Sequence, residues 1–307
     1  MNDLVSVIVP TIGRPQYLRS TIESVLAQEY DNIEVLISDN SPKISAAIVL
    51  DGIIDSRIRI IERDRRYEFS DHMNLCINNA IGYYVMILSD DDLISENYIS
   101  CMVQLFCKNT EVTVAVGHQK VLNESDINLG DNSATCENRT VDGLEYCLDH
   151  FHGKKHFPIY TYLSFFAKKN DICAAGGFKS YPDGSHADNL LFYSLALRGR
   201  IGVSNSLMGY RVYLASSGLS TPFDNLFQAS LAFDKDMSSL IWGIMRLNLF
   251  GKIQLRRLVK ISIAHTMVYR LVSIYKPRIG FASFLICICK VIFSFLPRNI
   301  FFVSRGS

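Results

Sequence analysis

The sequence lacks the short motifs that mark several common enzyme and metal-binding classes. Its 307 residues contain no Cys-x-x-Cys pair, no His-Glu-x-x-His, no P-loop and no Gly-x-Gly-x-x-Gly segment. These absences argue against the usual zinc sites, P-loop nucleotidases and dinucleotide-binding Rossmann domains. The N-terminus also lacks a basic start, a long apolar region and a small-residue cleavage site, so we expect a strand there rather than a secretion signal.

Cysteine is present, but its spacing suggests neither a metal site nor a disulfide framework. Six of the eight cysteines are scattered, and the other two lie close together in an apolar stretch: Cys76, Cys101, Cys107, Cys136, Cys147 and Cys173, then Cys287 and Cys289. We therefore expect reduced, mostly buried thiols in a protein that resides in a reducing compartment.

Acidic residues are missing from the C-terminal part of the chain. All 30 Asp and Glu residues lie at or before Asp236, whereas 11 of the 31 Lys and Arg residues lie after it. The first 236 residues therefore carry a formal charge of −10 and the remainder carries +11. This asymmetry indicates an acidic body with a basic tail that binds an anionic surface. Because the basic region is also apolar, a membrane is the expected partner and nucleic acid is not.

Short apolar runs alternate with helical patterns in the first third of the chain. The alternation predicts an α/β fold with an open, mostly parallel sheet flanked by helices. Residues 118–160 show no clear pattern, and another helix is predicted from Ser185 to just before Gly199. The strands are predicted at 4–10, 33–37, 57–61, 83–88 and 112–117.

Polar side chains follow three of these predicted strands. Pro10 and Thr11, Asp39, and the triplet Asp90, Asp91 and Asp92 should share one edge of the sheet, where open α/β folds bind ligands. Three adjacent carboxylates offer hard oxygen ligands for Mg²⁺ or Mn²⁺. The alternative is a solvated acidic loop.

Two segments carry a family resemblance. VSVIVPTIGRPQYLRSTIESVLAQEYDNIEVLISDNS and NNAIGYYVMILSDDDLI resemble family 2 glycosyltransferases of the GT-A fold, well over residues 4–100 and more weakly over 170–215. The resemblance implies that Asp39 binds the nucleotide base and that Thr11, after Pro10, lies against the nucleoside. It further implies that Asp90, Asp91 and Asp92 form the DXD-type motif, which binds ribose and a diphosphate held by Mn²⁺ or Mg²⁺. Ser89 replaces the usual first Asp and leaves open which carboxylates bind the metal; we favour Asp91, assisted by Asp90 or Asp92.

The same resemblance suggests a general base and a diphosphate contact. Asp188 follows the Gly-Gly-Phe segment that precedes the family's catalytic acid, although Ser185-x-x-Asp188 is also a capping-box-like pattern. Arg211 matches the position of a diphosphate-binding Arg or His, with an edge-strand salt bridge as the alternative. Arg65 and Arg66 are expected to be solvated. Asp183 is expected in a turn, and His186 in an exposed loop.

The C-terminal region combines positive charge with apolar helices. Residues 279–297 are barely long enough to span a bilayer, and Lys290 lies within them, so a shallow or hairpin-like insertion is favoured over a span. The alternative is a helix pair packed on the catalytic domain. We expect three segments: 1–118 binding the nucleotide sugar, 119–236 binding the acceptor, and a membrane-associating helical tail at 237–307.

The resemblance and the charge pattern together predict an inverting, metal-dependent glycosyltransferase. It would move a sugar from a nucleoside diphosphate, with UDP expected, to a hydroxyl of an undecaprenyl-diphosphate-linked glycan. It would act at the cytoplasmic face of the inner membrane in bacterial surface polysaccharide synthesis, such as O-antigen or capsule. One alternative is a non-catalytic membrane-bound scaffold that binds sugar nucleotides. The other is a sugar-1-phosphate nucleotidyltransferase. Such an enzyme usually needs a Gly-rich loop with Arg and Lys after the first strand, and the segment PTIGRPQY does not supply one.

Overall fold

The structure is a computed structural model of the full chain. It describes residues 3–12, 15–41, 46–123, 126, 129, 136–151, 163–211, 221–271 and 281–295. By packing, the chain divides into two compact units. The first comprises 1–146, 157–180 and 187–213, and the second comprises 147–156, 181–186 and 214–307. This division differs from the three consecutive segments expected from the sequence, because strand β6 (Val112–Leu122) runs through the expected boundary at 118.

The first unit is built on one nine-stranded sheet. Its order is β3-β2-β1-β4-β8-β6-β9-β5, with β7 also paired to β9. The strands are β1 (Val5–Thr11), β2 (Ile33–Asp39), β3 (Ile58–Glu62), β4 (Tyr84–Ile87), β5 (Leu93–Ile94), β6, β7 (Asn138–Asp142), β8 (Phe166–Lys168) and β9 (Arg200–Arg211).

The predicted α/β class is confirmed, and the direction of the strands explains where side chains converge. β1 pairs in parallel with both β2 and β4, and β2 with β3, as expected of strands joined through helices. The short β8 is antiparallel to both β4 and β6, so β6 runs in the same direction as β4. β9 then pairs in parallel with β6, while β5 and β7 lie antiparallel to β9.

Helices cover the sheet because their apolar residues recur at helical spacing. In α1, for example, Leu18, Ile22 and Val25 are buried in the main core cluster together with Val7 and Val35 of the sheet. The helices of this unit are α1 (Pro15–Leu26), α2 (Ala46–Val49), α3 (Phe69–Asn79), α4 (Tyr98–Lys108), α5 (Gly143–Phe151), α6 (Lys169–Ala174) and α7 (Ala187–Ala196). The end of α5, from Cys147, belongs to the second unit.

The second unit is helical. It contains α8 (Phe223–Trp242), α9 (Leu249–Arg270) and α10 (Phe281–Phe295), together with a short 3₁₀ turn at Pro182–Gly184. Asp183 lies in that turn with a φ of 53°, as predicted. Among the helices described, none is both long enough and apolar enough to cross a membrane.

The cysteine chemistry differs from the prediction. Cys101 of α4 and Cys136 form a disulfide, with Cα atoms 5.5 Å apart. Their 35-residue separation gave no signal, because the folded sheet is what brings the start of β7 to α4. The prediction of mostly buried thiols is also wrong: of the six free cysteines, only Cys76 and Cys147 are buried.

Candidate functional site

The carboxyl ends of β1, β2 and β4 bring three of the predicted residues together. Thr11 lies opposite Asp39 in the β1–β2 register, and its backbone oxygen accepts a hydrogen bond from the N–H of Asn40 at 3.0 Å. The Thr11 hydroxyl donates to Oδ2 of Asp90 at 2.6 Å. The side chains of Thr11, Asp39 and Asp90 are all nearly inaccessible to solvent. Thr11 lies opposite one acid and bonds to the other, so it connects them at this edge of the sheet.

Both carboxylate oxygens of Asp39 accept hydrogen bonds from nearby backbone groups. Its Oδ1 accepts from the N–H of Ser41 at 2.9 Å, and its Oδ2 accepts from the N–H of Ala46 at 2.6 Å. Pro10 lies beside it, in register with Ser38. Both oxygens of the carboxylate are therefore already bonded to Ser41 and Ala46, so a base bound here would have to share or replace those contacts.

The acidic triplet is buried. Asp90, Asp91 and Asp92 are 1, 4 and 3 % exposed, and the N–H of Asp92 donates to the oxygen of Ser89 in a turn between β4 and β5. The alternative of a solvated acidic loop is therefore wrong. Burying adjacent carboxylates is costly unless hydrogen bonds or positive charge offset the cost.

The triplet fits a metal ion only if the substrate and water supply the remaining ligands. Within the residues that the structure describes, no group of three or more His, Cys, Asp and Glu side chains is arranged to hold a metal ion. The hard oxygen atoms suit Mg²⁺ or Mn²⁺, ions that often bind through one or two carboxylates while substrate phosphates and water complete the shell. The donor set therefore fits a metal that arrives with a diphosphate.

Asp188 lies in the first turn of α7. At the far end of α7, the oxygen of Leu195 accepts from the Thr113 hydroxyl near the start of β6, at 2.7 Å. Asp188 lies at the other end of the helix, about 10 Å along its axis from that contact.

The environment of Asp188 favours its protonated form more than water does. Burial raises the pKa of its carboxyl group, while hydrogen bonds from backbone N–H groups, including that of Asn189 to Oδ1 at 2.8 Å, oppose the rise. A carboxylate with a raised pKa is a stronger base. The helix begins at Ala187, two residues later than predicted, because His186 has a φ of 69°.

The other predicted residues have different surroundings. Arg211 ends β9 opposite Leu122, and its side chain lies outside the described residues. Arg65 and Arg66 are exposed, with the Arg65 guanidinium 4.9 Å from the centre of the Tyr67 ring.

The exposed-loop prediction for His186 is wrong. Its ring is half-buried, stacks on Phe233 and bonds through Nε2 to the Ser230 hydroxyl at 2.9 Å. Burial, with the charge of Arg270, lowers the pKa of His186 to about 4.

A polar cluster beside Asp39 was not predicted from the sequence. The Ser38 hydroxyl bonds to Nε2 of His72 at 2.8 Å and accepts from Nε of Arg63 at 3.0 Å. The N–H of Arg63 also donates to the oxygen of Asp39 at 2.9 Å. Burial lowers the pKa of His72 to about 4, so its ring is neutral at pH 7. The only signal was Ser38, a polar residue inside an apolar strand.

Known proteins share both the sequence pattern and the fold. The chain is 29 % identical over 130 residues to glycosyltransferase GlyG of Streptococcus pneumoniae serotype 4, which is 42 % of this chain and 43 % of that protein. It is 25 % identical over 124 residues to UDP-Glc:alpha-D-GlcNAc-diphosphoundecaprenol beta-1,3-glucosyltransferase WfgD of Escherichia coli, which is 40 % of this chain and 49 % of that protein. The match thus spans less than half the length of these relatives.

The solved structure of S. aureus TarS 1-349 in complex with UDP-GlcNAc has the same fold. Its TM-score is 0.67 at 14 % identity, covering 96 % of this chain and 82 % of that one. The model of Glycosyl transferase family 2 matches residues 6–182, which include all of β1 except Val5, together with β2, β4 and the acidic triplet. Because that match covers more than half of the chain, this protein belongs to glycosyl transferase family 2.

Proposed function

We propose that this protein transfers a sugar from UDP-sugar, with inversion, to a hydroxyl of a lipid-linked glycan. The observation that carries the proposal is the hydrogen bond between Thr11 and Asp90 next to Asp39, at the ligand-binding edge of a family 2 sheet. The reaction would serve bacterial surface polysaccharide synthesis, such as O-antigen or capsule, at the cytoplasmic face of the inner membrane.

Two of the similar proteins support the choice of donor and acceptor. TarS was solved with UDP-GlcNAc, and WfgD is named for a UDP-glucose donor and a diphosphoundecaprenol acceptor. UDP is therefore the first donor nucleotide to test, and an undecaprenyl-diphosphate-linked glycan the first acceptor.

The site's residues suggest a direct displacement. The acceptor hydroxyl attacks the anomeric carbon as the bond from that carbon to the diphosphate oxygen breaks. Asp188 takes the hydroxyl proton, and the UDP leaves with the bonding electrons. Asp39 would hold the base, Pro10 and Thr11 the nucleoside, and Arg211 the diphosphate.

The acidic triplet would hold a divalent cation together with the diphosphate. Asp91, with Asp90 or Asp92, is the proposed ligand set for Mn²⁺ or Mg²⁺. When bound, the cation would neutralise negative charge on the departing diphosphate. Thr11 fixes the orientation of Asp90 through its 2.6 Å hydrogen bond.

Titration calorimetry tests this proposal. UDP, GDP, dTDP and CDP are titrated with Mn²⁺ and again with EDTA, into the wild type, Asp91→Asn and the exposed control Asp51→Asn. We expect UDP to bind only with metal, and Asp91→Asn alone to lose binding. If no nucleotide binds, the site assignment fails. If UDP binds but no transfer to any lipid-linked acceptor is seen, a sugar-nucleotide-binding scaffold is the better description.

A further inference from the structure

Four large apolar side chains are exposed at the end of α8, in the turn after it and at the start of α9. Trp242, Met245, Leu249 and Phe250 are 44, 97, 63 and 69 % exposed, and we name them the apolar tip. Single exposed apolar residues are ordinary on protein surfaces. Four within nine positions form a patch, and such patches mark interaction surfaces.

The turn that carries the apolar tip is fixed by hydrogen bonds. The N–H of Gly243 donates to the oxygens of Ser239 and Leu240 at the end of α8, at 3.2 and 3.1 Å. Asn248 caps α9 through its Oδ1, which accepts from the N–H of Gly251 at 2.8 Å. Lys252 then joins the two helices, because its ammonium group donates to the oxygen of Trp242 at 2.8 Å. The exposure is therefore built into the turn.

The apolar tip lies in a positively charged stretch of the sequence. Arg246, Lys252, Arg256 and Arg257 lie in the same stretch, and no acidic residue occurs between positions 237 and 307. On α9, Phe250, Arg257 and Ile261 lie within about 40° of one another, at about 100° per residue. Ile261 is 42 % exposed and extends this face along the helix.

We propose that the apolar tip inserts into the headgroup region of an anionic lipid bilayer, with the arginines of the same stretch on lipid phosphates. An exposed apolar tip in a stretch whose only charged residues are cations is complementary to such a bilayer, and Trp is favoured at the membrane–water interface. This places membrane contact on the α8–α9 turn rather than on α10, where Lys290 pairs with Asp224 at 3.0 Å. The inference does not depend on the proposed transfer reaction, and its test uses no nucleotide.

The fluorescence of Trp242 provides a direct test, since it is the only tryptophan in the chain. The full-length protein is mixed with vesicles of phosphatidylglycerol and phosphatidylcholine, or of phosphatidylcholine alone. We expect the anionic vesicles alone to shift the emission to the blue and to protect it from acrylamide, and added salt to weaken both effects. An unchanged spectrum overturns the proposal. A blue shift that grows with protein concentration without lipid also overturns it, because a second copy of the chain would then cover the tip.

Variants locate the contact while Trp242 remains as the reporter. Leu249→Ala/Phe250→Ala should weaken vesicle binding at least tenfold, and Arg246→Gln/Arg257→Gln should weaken it and flatten its salt dependence. Ile54→Ala/Ile81→Ala, at positions 98 and 70 % exposed in the first unit, is the matched control and should bind like the wild type. Circular dichroism confirms that each variant is folded. Equal losses in the control and tip variants would contradict the proposal.

Discussion

At the scale of single residues, Thr11 and Asp90 show how distant positions form one site. Their hydrogen bond spans 79 positions of sequence at 2.6 Å, between two buried side chains. Thr11→Val keeps the shape of the side chain but removes the donor to a carboxylate. We expect the free energy of unfolding to fall by about 1–3 kcal/mol in urea titrations, and the affinity for UDP to fall in calorimetry. Thr11→Ser should restore both, and a Thr11→Val protein as stable as the wild type would refute this role.

Asp188 is the residue on which the proposed proton transfer depends. Asp188→Asn keeps the volume and can still cap the helix, but it cannot accept the proton. We expect kcat to fall by about 10²–10⁴-fold with UDP affinity unchanged. Since burial raises the pKa of Asp188, wild-type activity should be lost as pH falls through a value above the ordinary 3.8.

The control for Asp188 is the neighbouring turn residue Asp183. Asp183→Asn tolerates the φ of 53° at that position and should leave kcat unchanged. If Asp188→Asn retains wild-type kcat, Asp188 serves only to cap α7, as the capping-box pattern also suggested.

Histidine burial predicts how stability depends on pH. Burial lowers the pKa of His72 from 6.5 to about 4, so the unfolded chain takes up a proton at pH values where the folded protein stays neutral. Stability from His72 is therefore complete above about pH 6.5 and is lost as pH falls towards 4, by up to about 3 kcal/mol. Urea unfolding from pH 7.5 to 4.5 should show a shallower decline for His72→Gln than for the wild type. The exposed His265 provides the control, and a His265→Gln curve matching that of His72→Gln would contradict the prediction.

At the scale of secondary-structure elements, Glu34 joins several strands at the edge opposite the site. The Ser6 hydroxyl of β1 and the N–H of Ile81, which leads into β4, both donate to Oε1 of Glu34, the latter at 2.6 Å. Arg59 of β3 pairs with Oε2 at 3.0 Å. One nearly buried carboxylate therefore ties β1, β2 and β3 to the connection before β4.

Removing that carboxylate should weaken the sheet without touching the site. We expect Glu34→Ala to lower the free energy of unfolding by about 3 kcal/mol, because buried donors and a cation lose their partner. Glu23→Ala, which removes an exposed pair with Arg19 on α1, should change it by less than about 0.5 kcal/mol. Chemical denaturation of both variants measures the difference. Equal losses would show that the Glu34 network contributes no more than a surface ion pair.

Elements with a clear local pattern could be predicted from the sequence, whereas the longest strand, β9, and the shortest strands could not. The buried β-branched runs of β1 and β2 and the helical spacing of α1 carry their own periodicity. β5 and β8 have two and three residues, so pairing with neighbouring strands determines them rather than local pattern. The same distinction holds at the site. Parallel strands predicted that Thr11, Asp39 and Asp90 would meet, but the bond from Arg63 to Ser38 depends on a loop conformation that no periodicity encodes.

At the scale of the whole molecule, negative and positive charge are concentrated in different parts of the chain. The acids of the first unit include the buried triplet, which a divalent cation and a diphosphate would together neutralise. The helical region beyond Asp236 has cations and no acids, and its apolar tip is exposed. Negative charge is thus placed where a metal-bound donor is proposed to bind, and positive charge where a lipid surface is proposed.

The disulfide is a covalent link that the sequence did not predict, and it gives a test of the whole fold. Closing a loop of 35 positions, it should stabilise the folded state by roughly 3–4 kcal/mol, because it restricts the unfolded chain. Thiol titration of the oxidised, denatured protein should find six thiols, and reduction should raise the number to eight. Urea unfolding should show the expected loss both on reduction and in Cys136→Ser, with Cys173→Ser, an exposed free cysteine, as the control. Eight thiols under oxidising conditions would mean that Cys101 and Cys136 remain reduced, as the scattered spacing first suggested.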